Sequence, residues 1–251
     1  MSTILVPYHL EERLSEVELP ARADRVVTVE LGGGGFWARV AGLHAAVADA
    51  VAAEDEAPAI VTGDCAVALG VVAGLQRRGI EPAVVWFDAH GDLHTPESST
   101  SGYPGGMPLR MLLGDGDPTV ADRTGLRPIP AEKVILVDGR DLDPAEAEFL
   151  DGGPVRRVPV DAVPDVDGPI YLHIDLDVVD AAALPDLRFP VTPGPAAAAV
   201  LDAASRLLAT GRVAALTVAC TWYPGRGAAE VARPLVEALL GGAGERAARE
   251  A

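Results

Sequence analysis

Aromatic residues, cysteine and positive charge are all scarce in this chain. Phe, Tyr and Trp make up 4% of the 251 residues, and the cysteines are two, Cys65 and Cys220. Two thiols are too few for a disulfide scaffold, so each is read from its own surroundings. Twenty Lys and Arg stand against 37 Asp and Glu, a formal charge of −17. That field repels phosphate backbones and anionic bilayers, which removes nucleic acid and membrane surfaces from the partners to be considered. No apolar run approaches the roughly 18 residues of a membrane-spanning helix. Met1 to Leu10 carry no basic region followed by an apolar run, so no secretory signal is visible and a cytoplasmic protein is expected.

What is present is core-forming material: 49% hydrophobic against 23% charged residues, with no stretch that reads as a linker. One domain spanning residues 1–251 is expected. Short runs rich in Val and Ile alternate with longer Ala- and Leu-rich segments. The expected strands are 4–7, 25–30, 59–62, 83–88, 133–138, 169–175 and 213–219; the expected helices are 36–53, 65–76, 144–150, 195–209 and 228–240. That order predicts an α/β fold of three αβα layers with a mostly parallel central sheet. Two stretches dense in Pro, Gly, Ser and Asp, 93–108 and 179–195, read as long loops, and their position after carboxylate-bearing strand ends favours function. The tail from Gly241 reads as a frayed terminus.

The chemistry gathers at strand ends. Val84-Val85-Trp86-Phe87-Asp88-Ala89-His90-Gly91-Asp92 is an apolar strand closing on Asp, His and Asp at alternate positions. Side chains two apart on extended backbone share a face, so the three converge at the carboxyl edge of the sheet, where open α/β sheets bind ligands. His173-Ile174-Asp175-Leu176-Asp177 ends a second strand in the same way. Carboxylates this close raise one another's pKa unless a cation intervenes, and a metal is the economical explanation. Val61-Thr62-Gly63-Asp64-Cys65-Ala66 reads as strand, tight turn and helix start. It places Cys65 near a helix N-terminus, where a thiolate is favoured.

Together these pieces resemble the ureohydrolase family of arginase, agmatinase and formimidoylglutamase, over roughly residues 59–224. The most specific matches are Trp86 to Asp92, the loop from Thr95-Pro96-Glu97 to Ser101-Gly102, Gly139-Arg140-Asp141-Leu142-Asp143-Pro144-Ala145-Glu146, and His173 to Asp177. The resemblance implies two metal ions, manganese first, bridged by a hydroxide that attacks a guanidinium or formimino carbon. It implies Asp88 and Asp175 as bridging ligands, Asp92 completing one metal, and His90 with Asp177 the other. The remaining ligand is a histidine in the family and Cys65 here, which opens the site to zinc or a mixed pair. Four Asp carboxylates and a Cys65 thiolate bring about −5 against +4 from two metals, a balance that favours a cationic substrate.

Two further positions depart from the family. Its Ser-Gly-Asn-x-His-Gly motif, whose histidine shuttles protons, reads Ser101-Gly102-Tyr103-Pro104-Gly105-Gly106, with Gly105 at the histidine position. Its late glutamate, partner of the guanidinium, is Thr221, which cannot pair bidentately with a planar cation. His94 stands two residues past Asp92 and is a candidate replacement acid or base, the alternative being a surface histidine. Asp92 is counted with His94 in the catalytic group. Ser101, Asp143, Glu146 and Thr221 are candidate substrate contacts, although Asp143-Pro144 is also an ordinary helix start.

The leading expectation is a binuclear metal hydrolase cleaving a carbon–nitrogen bond of a guanidino, N-hydroxyguanidino or related amidino compound. The alternative is a catalytically silent relative that holds a metal or a metabolite. A third reading makes Cys65 a nucleophile with His90 as its base. A homo-oligomer is implied by the resemblance alone; Trp37, Trp222 and Tyr223 are assigned to core rather than to interface anchors.

Overall fold

The computed structural model describes residues 1–247. The strands are β1 (Thr3–Val6), β2 (Tyr8–His9), β3 (Glu12–Arg13), β4 (Arg25–Val26), β5 (Ala59–Thr62), β6 (Ala83–Asp88), β7 (Val134–Asp138), β8 (Arg156–Val158), β9 (Ile170–Asp175) and β10 (Val213–Ala219). The helices are α1 (Phe36–Ala52), α2 (Ala68–Arg77), α3 (Pro108–Leu112), α4 (Thr119–Thr124), α5 (Pro144–Gly152), α6 (Ala197–Ala209) and α7 (Ala228–Ala247). Eight strands form one sheet in the order β4-β1-β5-β10-β9-β6-β7-β8. Every pairing in it is parallel, while β2 and β3 make a separate antiparallel hairpin.

Central parallel strands are covered on both faces and therefore read as unbroken apolar runs. β6 and β9 are buried at every position. Alternation then sorts their side chains. Val84, Trp86 and Tyr171 join the core beneath α1 to α4, and Val85, Phe87, Leu172 and Ile174 join the core beneath α6 and α7. Helices on both faces of a parallel sheet make the three layers that the sequence predicts.

Close packing on the first face depends on two glycines one turn apart on α2. A Cβ at Gly70 would lie 2.7 Å from the His44 carbonyl oxygen, and one at Gly74 would lie 2.7 Å from Val51 Cβ. Both neighbours belong to α1. Gly70→Ala is therefore expected to lower stability by about 1–3 kcal/mol through overpacking, or roughly 2–4 °C of Tm per kcal/mol in a chain of this size. An unchanged thermal unfolding curve would contradict the tight α1–α2 contact.

Several sequence expectations are corrected. The strand expected at 25–30 pairs only at Arg25 and Val26. The helix expected from Cys65 opens with a 3-10 turn, Cys65–Val67, before α2. The helix expected from Pro195 starts at Ala197. Elements of two to six residues, β2, β3, β8, α3 and α4, escaped because they are too short to display a period. α7 runs on through Gly241 to Ala247 where a frayed tail is expected, and residues 248–251 of that tail lie outside the described residues. Trp37 and Trp222 are buried as expected, but Tyr223 is 41% exposed. Among the described residues no helix is long and apolar enough to cross a membrane.

Candidate metal centre and its pocket

Parallel strands end at one edge, so the four central neighbours β5, β10, β9 and β6 deliver Cys65, Thr221, Asp175 and Asp88 to the same place. Register refines this. Phe87 pairs with Ile174, so the next residues, Asp88 and Asp175, finish side by side. Asp175 is also level with Ala219 of β10, which is itself level with Thr62 of β5.

The local turns lock the donors in place. The Asp64 side chain accepts the Ala66 N–H at 2.6 Å and caps the turn that presents Cys65. Beyond β6, the His90 N–H returns to Asp88 Oδ1 at 2.7 Å; beyond β9, the Asp177 N–H returns to Asp175 Oδ1 at 3.0 Å. Asp177 also accepts the Ala89 N–H at 3.2 Å, tying the two loops together. The turn at Gly91 has no room for a side chain, since a Cβ there would lie 2.8 Å from the Glu146 carboxyl carbon. Asp92 follows with φ of +52°, a left-handed conformation that only a short polar side chain adopts with ease.

Two overlapping donor groups result. Cys65, Asp88 and Asp175 each offer an atom within 4.8 Å of the others, and so do Asp88, His90 and Asp177. Asp88 belongs to both. Cys65 Sγ lies 2.9 Å from Asp175 Oδ2 and 3.9 Å from Asp88 Oδ2. His90 Nδ1 lies 3.0 Å from Asp177 Oδ2 and 3.3 Å from Asp88 Oδ1.

The electrostatics are those of carboxylates buried close together. Burial, reinforced by the neighbouring carboxylates, pushes Asp92 and Asp175 well above the usual carboxylate range, and burial together with Asp88 pushes Asp177 up to about 6. Burial alone would pull His90 down, but the Asp177 and Asp88 carboxylates beside it push it up to about 12. Asp88 is the exception: burial would raise it, but its bonds with His90 bring it below the ordinary value. Asp92 Oδ2 is buried with no hydrogen-bond partner. An orphaned carboxylate oxygen among carboxylates held partly protonated is the signature expected of a cation site, and this oxygen-rich set suits divalent ions.

Burial and then Asp175, Asp92, Asp88 and Asp64 push the Cys65 thiol well above its ordinary value. This corrects the expectation of a favoured thiolate, because burial and then the surrounding carboxylates outweigh the short turn's dipole. The reading of Cys65 as a nucleophile falls with it: His90 is held by Asp177 and Asp88.

A model of the Arginase family matches residues 20–221. The chain belongs to that family. Arginase of Bacillus caldovelox is 33% identical over 168 residues, 60% of this chain and 56% of that enzyme. The N(omega)-hydroxy-L-arginine amidinohydrolase of Streptomyces lavendulae is 35% identical over 138 residues, 52% of this chain and 49% of that protein. The chain thus spans about half the length of the curated relatives it matches. The crystal structure of Bacillus cereus arginase superposes with a TM-score of 0.81 at 22% identity, covering 96% of this chain and 97% of the other, which establishes the shared fold.

Around the donors the arginase-family fold leaves a cavity of about 330 Å³. The residues singled out in the sequence all line it: Cys65, Asp88, His90, Asp92, His94, Ser101, Asp143, Glu146, Asp175, Asp177 and Thr221. His94 is buried rather than on the surface. Its Nε2 lies 3.0 Å from Asp143 Oδ2 and its Nδ1 lies 3.2 Å from Ser98 Oγ. Glu146 is spent on architecture, accepting the Leu93 N–H and the Asp143 N–H, each at 3.0 Å. Thr221 Oγ1 donates to Asp175 Oδ1 at 2.7 Å and so braces a donor carboxylate. Ser101 sits at the exposed rim, where its Oγ accepts the Tyr103 N–H at 3.2 Å.

Three lining or supporting residues escaped sequence reasoning as site residues. Tyr103 and Phe189 form an aromatic wall with ring centroids 4.9 Å apart, and His9 lies behind Tyr103. The pairing of Tyr103 with Gly105 was the available signal, a large side chain next to a vacated one. His9 gave none, since its strand is two residues long. His173, further back in β9, is buried against Trp86 with ring centroids 3.6 Å apart, and burial pulls it down to about 3.

Proposed function

We propose that this chain is one metallohydrolase domain that cleaves a carbon–nitrogen bond of a guanidino, N-hydroxyguanidino or related amidino compound. The observation that carries the reading is Asp88 as the common member of two converging donor groups on the floor of the pocket. Asp88 with Asp175, Cys65 and Asp92 would hold one divalent ion, and Asp88 with His90 and Asp177 the other. When bound, such a pair supplies Lewis acidity and a water made nucleophilic near neutral pH.

The chain's own residues orient the substrate. Asp143, held by His94, presents a half-exposed carboxylate to the pocket and suits the cationic end of an amino-acid-like substrate. His94 Nε2 lies 3.0 Å from Asp143 Oδ2, and His94 is assigned to positioning Asp143, a departure from the role its sequence position suggests. Thr221 offers a neutral hydroxyl beside Asp175, which suits an amidino group of reduced charge and gives N-hydroxyguanidino compounds a place beside guanidino ones. The same reaction class is printed in the name of the Streptomyces lavendulae relative.

Manganese is the first choice by the oxygen-rich donors, with zinc or a mixed pair favoured by Cys65. A homo-oligomer and a cytoplasmic setting are proposed by kinship. Five donors matching the family's own, four of them carboxylates that repel when empty, speak against a silent scaffold.

The test is elemental analysis of chelator-free protein, wild type and Cys65→His, followed by a turnover screen of guanidino and N-hydroxyguanidino compounds. Two metals per chain are expected, zinc or a mixed pair in the wild type and a shift towards manganese in the variant. Protein that takes up no divalent metal would overturn the hydrolase reading.

A further inference from the structure

We propose that Tyr103, backed by His9, is the group that hands the proton to the leaving nitrogen. The inference rests on the hydrolytic reading above and adds the acid that reading lacks. Hydrolysis of a carbon–nitrogen bond moves one proton from the attacking water to the departing nitrogen, so a group facing the pocket has to carry it. Cys65, Asp88, His90, Asp92, Asp175 and Asp177 are committed as donors. His94 is given to holding Asp143. Asp141 lies 3.9 Å from His90 Nε2, and Glu146 is tied to two backbone N–H groups. Among the lining groups Tyr103 is the one whose hydroxyl has a buried histidine behind it to replace the proton it gives.

The phenol is placed by three independent contacts. Ser101 Oγ accepts its backbone N–H, Phe189 packs on its ring, and its hydroxyl lies 3.1 Å from His9 Nε2. His9 is itself fixed, with Nδ1 at 2.8 Å from the Gly63 carbonyl oxygen and 3.6 Å from Asp64 Oδ2. A carbonyl accepts only, so Nδ1 bears a proton and Nε2 faces the phenol free to accept or return one. The Tyr103 ring also fills the room beside Gly105: a Cβ there would lie 2.6 Å from Tyr103 Cζ and 2.7 Å from its hydroxyl oxygen. A side chain at position 105 would have to displace the Tyr103 ring from where it stands.

The proton balance closes within this pair. As water attacks the amidino carbon, the Tyr103 oxygen accepts the proton released while the Tyr103 hydroxyl proton passes to His9 Nε2. When the carbon–nitrogen bond breaks, the Tyr103 hydroxyl gives its proton to the leaving nitrogen and recovers one from His9 Nε2–H. His9 returns to its neutral state and the amine leaves with the proton. Tyr103 touches the reacting nitrogen and is the catalytic residue; His9 acts through it and is the positioning residue.

The deciding experiment compares wild type, Tyr103→Phe, His9→Gln and the double swap Tyr103→Asn with Gly105→His, all metal-loaded. Each is read for metal content, Tm, kcat, KM and the ¹⁵N shifts of His9. Tyr103→Phe is expected to keep its metals and its Tm, to lose on the order of a hundredfold in kcat with little change in KM, and to remove the hydrogen-bond signature at His9 Nε2. His9→Gln should lose a comparable factor in the wild-type background and nothing further in Tyr103→Phe. The double swap frees the space at position 105 for an imidazole and should regain most of the lost kcat. Tyr103→Phe with kcat within twofold of wild type, or with His9 shifts unchanged, overturns the relay while leaving the hydrolase reading intact. Metal-loaded wild type that turns over no amidino compound overturns both. Should Tyr103→Phe fail to fold, a double swap that matches wild-type kcat but still loses activity on His9→Gln also overturns the relay.

Discussion

Asp88→Asn should empty both metal positions at once and reduce turnover of any amidino substrate by on the order of a thousandfold. Asp88 is the one residue common to the two donor groups, and it stands beside Asp175 because the β6–β9 register leaves it there. An amide retains one neutral oxygen and introduces a nitrogen that repels cations, so neither group keeps its shared anionic member. Asp177→Asn is the control, since it touches the His90 group alone and should spare the group containing Cys65. Elemental analysis beside steady-state kinetics checks both. Asp88→Asn protein that still holds two metals per chain would show that the donors do not share Asp88 in the way the geometry indicates.

Metal should stabilise the protein more as the pH rises. In the metal-free fold, Asp177 is held up to about 6, and Asp92 and Asp175 are held well above their ordinary values. A group whose folded pKa is raised contributes stability that is fully present below its unfolded pKa and lost as pH climbs through the folded one. For Asp177 that window runs from its ordinary value of 3.8 to about 6. His90, held up to about 12, loses its contribution in the same direction, from 6.5 upward, while the lowered Asp88 works the other way below its ordinary value. The sum is a metal-free protein that weakens from about pH 4 upward. Divalent ions remove the penalty, because the donors then ionise against positive charge. For Asp177 alone the loss is on the order of 3 kcal/mol. The Tm gap between metal-loaded and chelated protein should therefore widen by roughly 5–10 °C between pH 4.5 and 7.5. Thermal unfolding with and without chelator measures it, and a gap independent of pH would mean that these carboxylates are not the groups the metals engage.

The legible part of this protein was the part written in consecutive residues. Trp86 to Asp92 and His173 to Asp177 announce strand, strand end and alternating donors within a single short window each, and the structure brings both to one pocket. The fold class was equally plain, because central parallel strands bury both faces and leave an apolar run that needs no alignment to be seen. Cys65 was identifiable by its turn, but its chemistry was not. A helix start suggests a thiolate, whereas the fold buries the sulfur, and burial, reinforced by Asp175, Asp92, Asp88 and Asp64, decides the outcome.

Residue order alone determined the layers and the strand ends and marked the candidate donors at those ends, since these depend on periodicity within a few residues. Tertiary structure decided everything that depends on who stands next to whom. It seated Asp88 beside Asp175 by strand register, tied His94 to Asp143, and set Thr221 to bracing Asp175. It also brought His9, from a two-residue strand near the start of the chain, against Tyr103 some 94 positions away. No periodicity records such a contact, because the force that makes it is the packing of the whole sheet edge rather than any preference of the local chain.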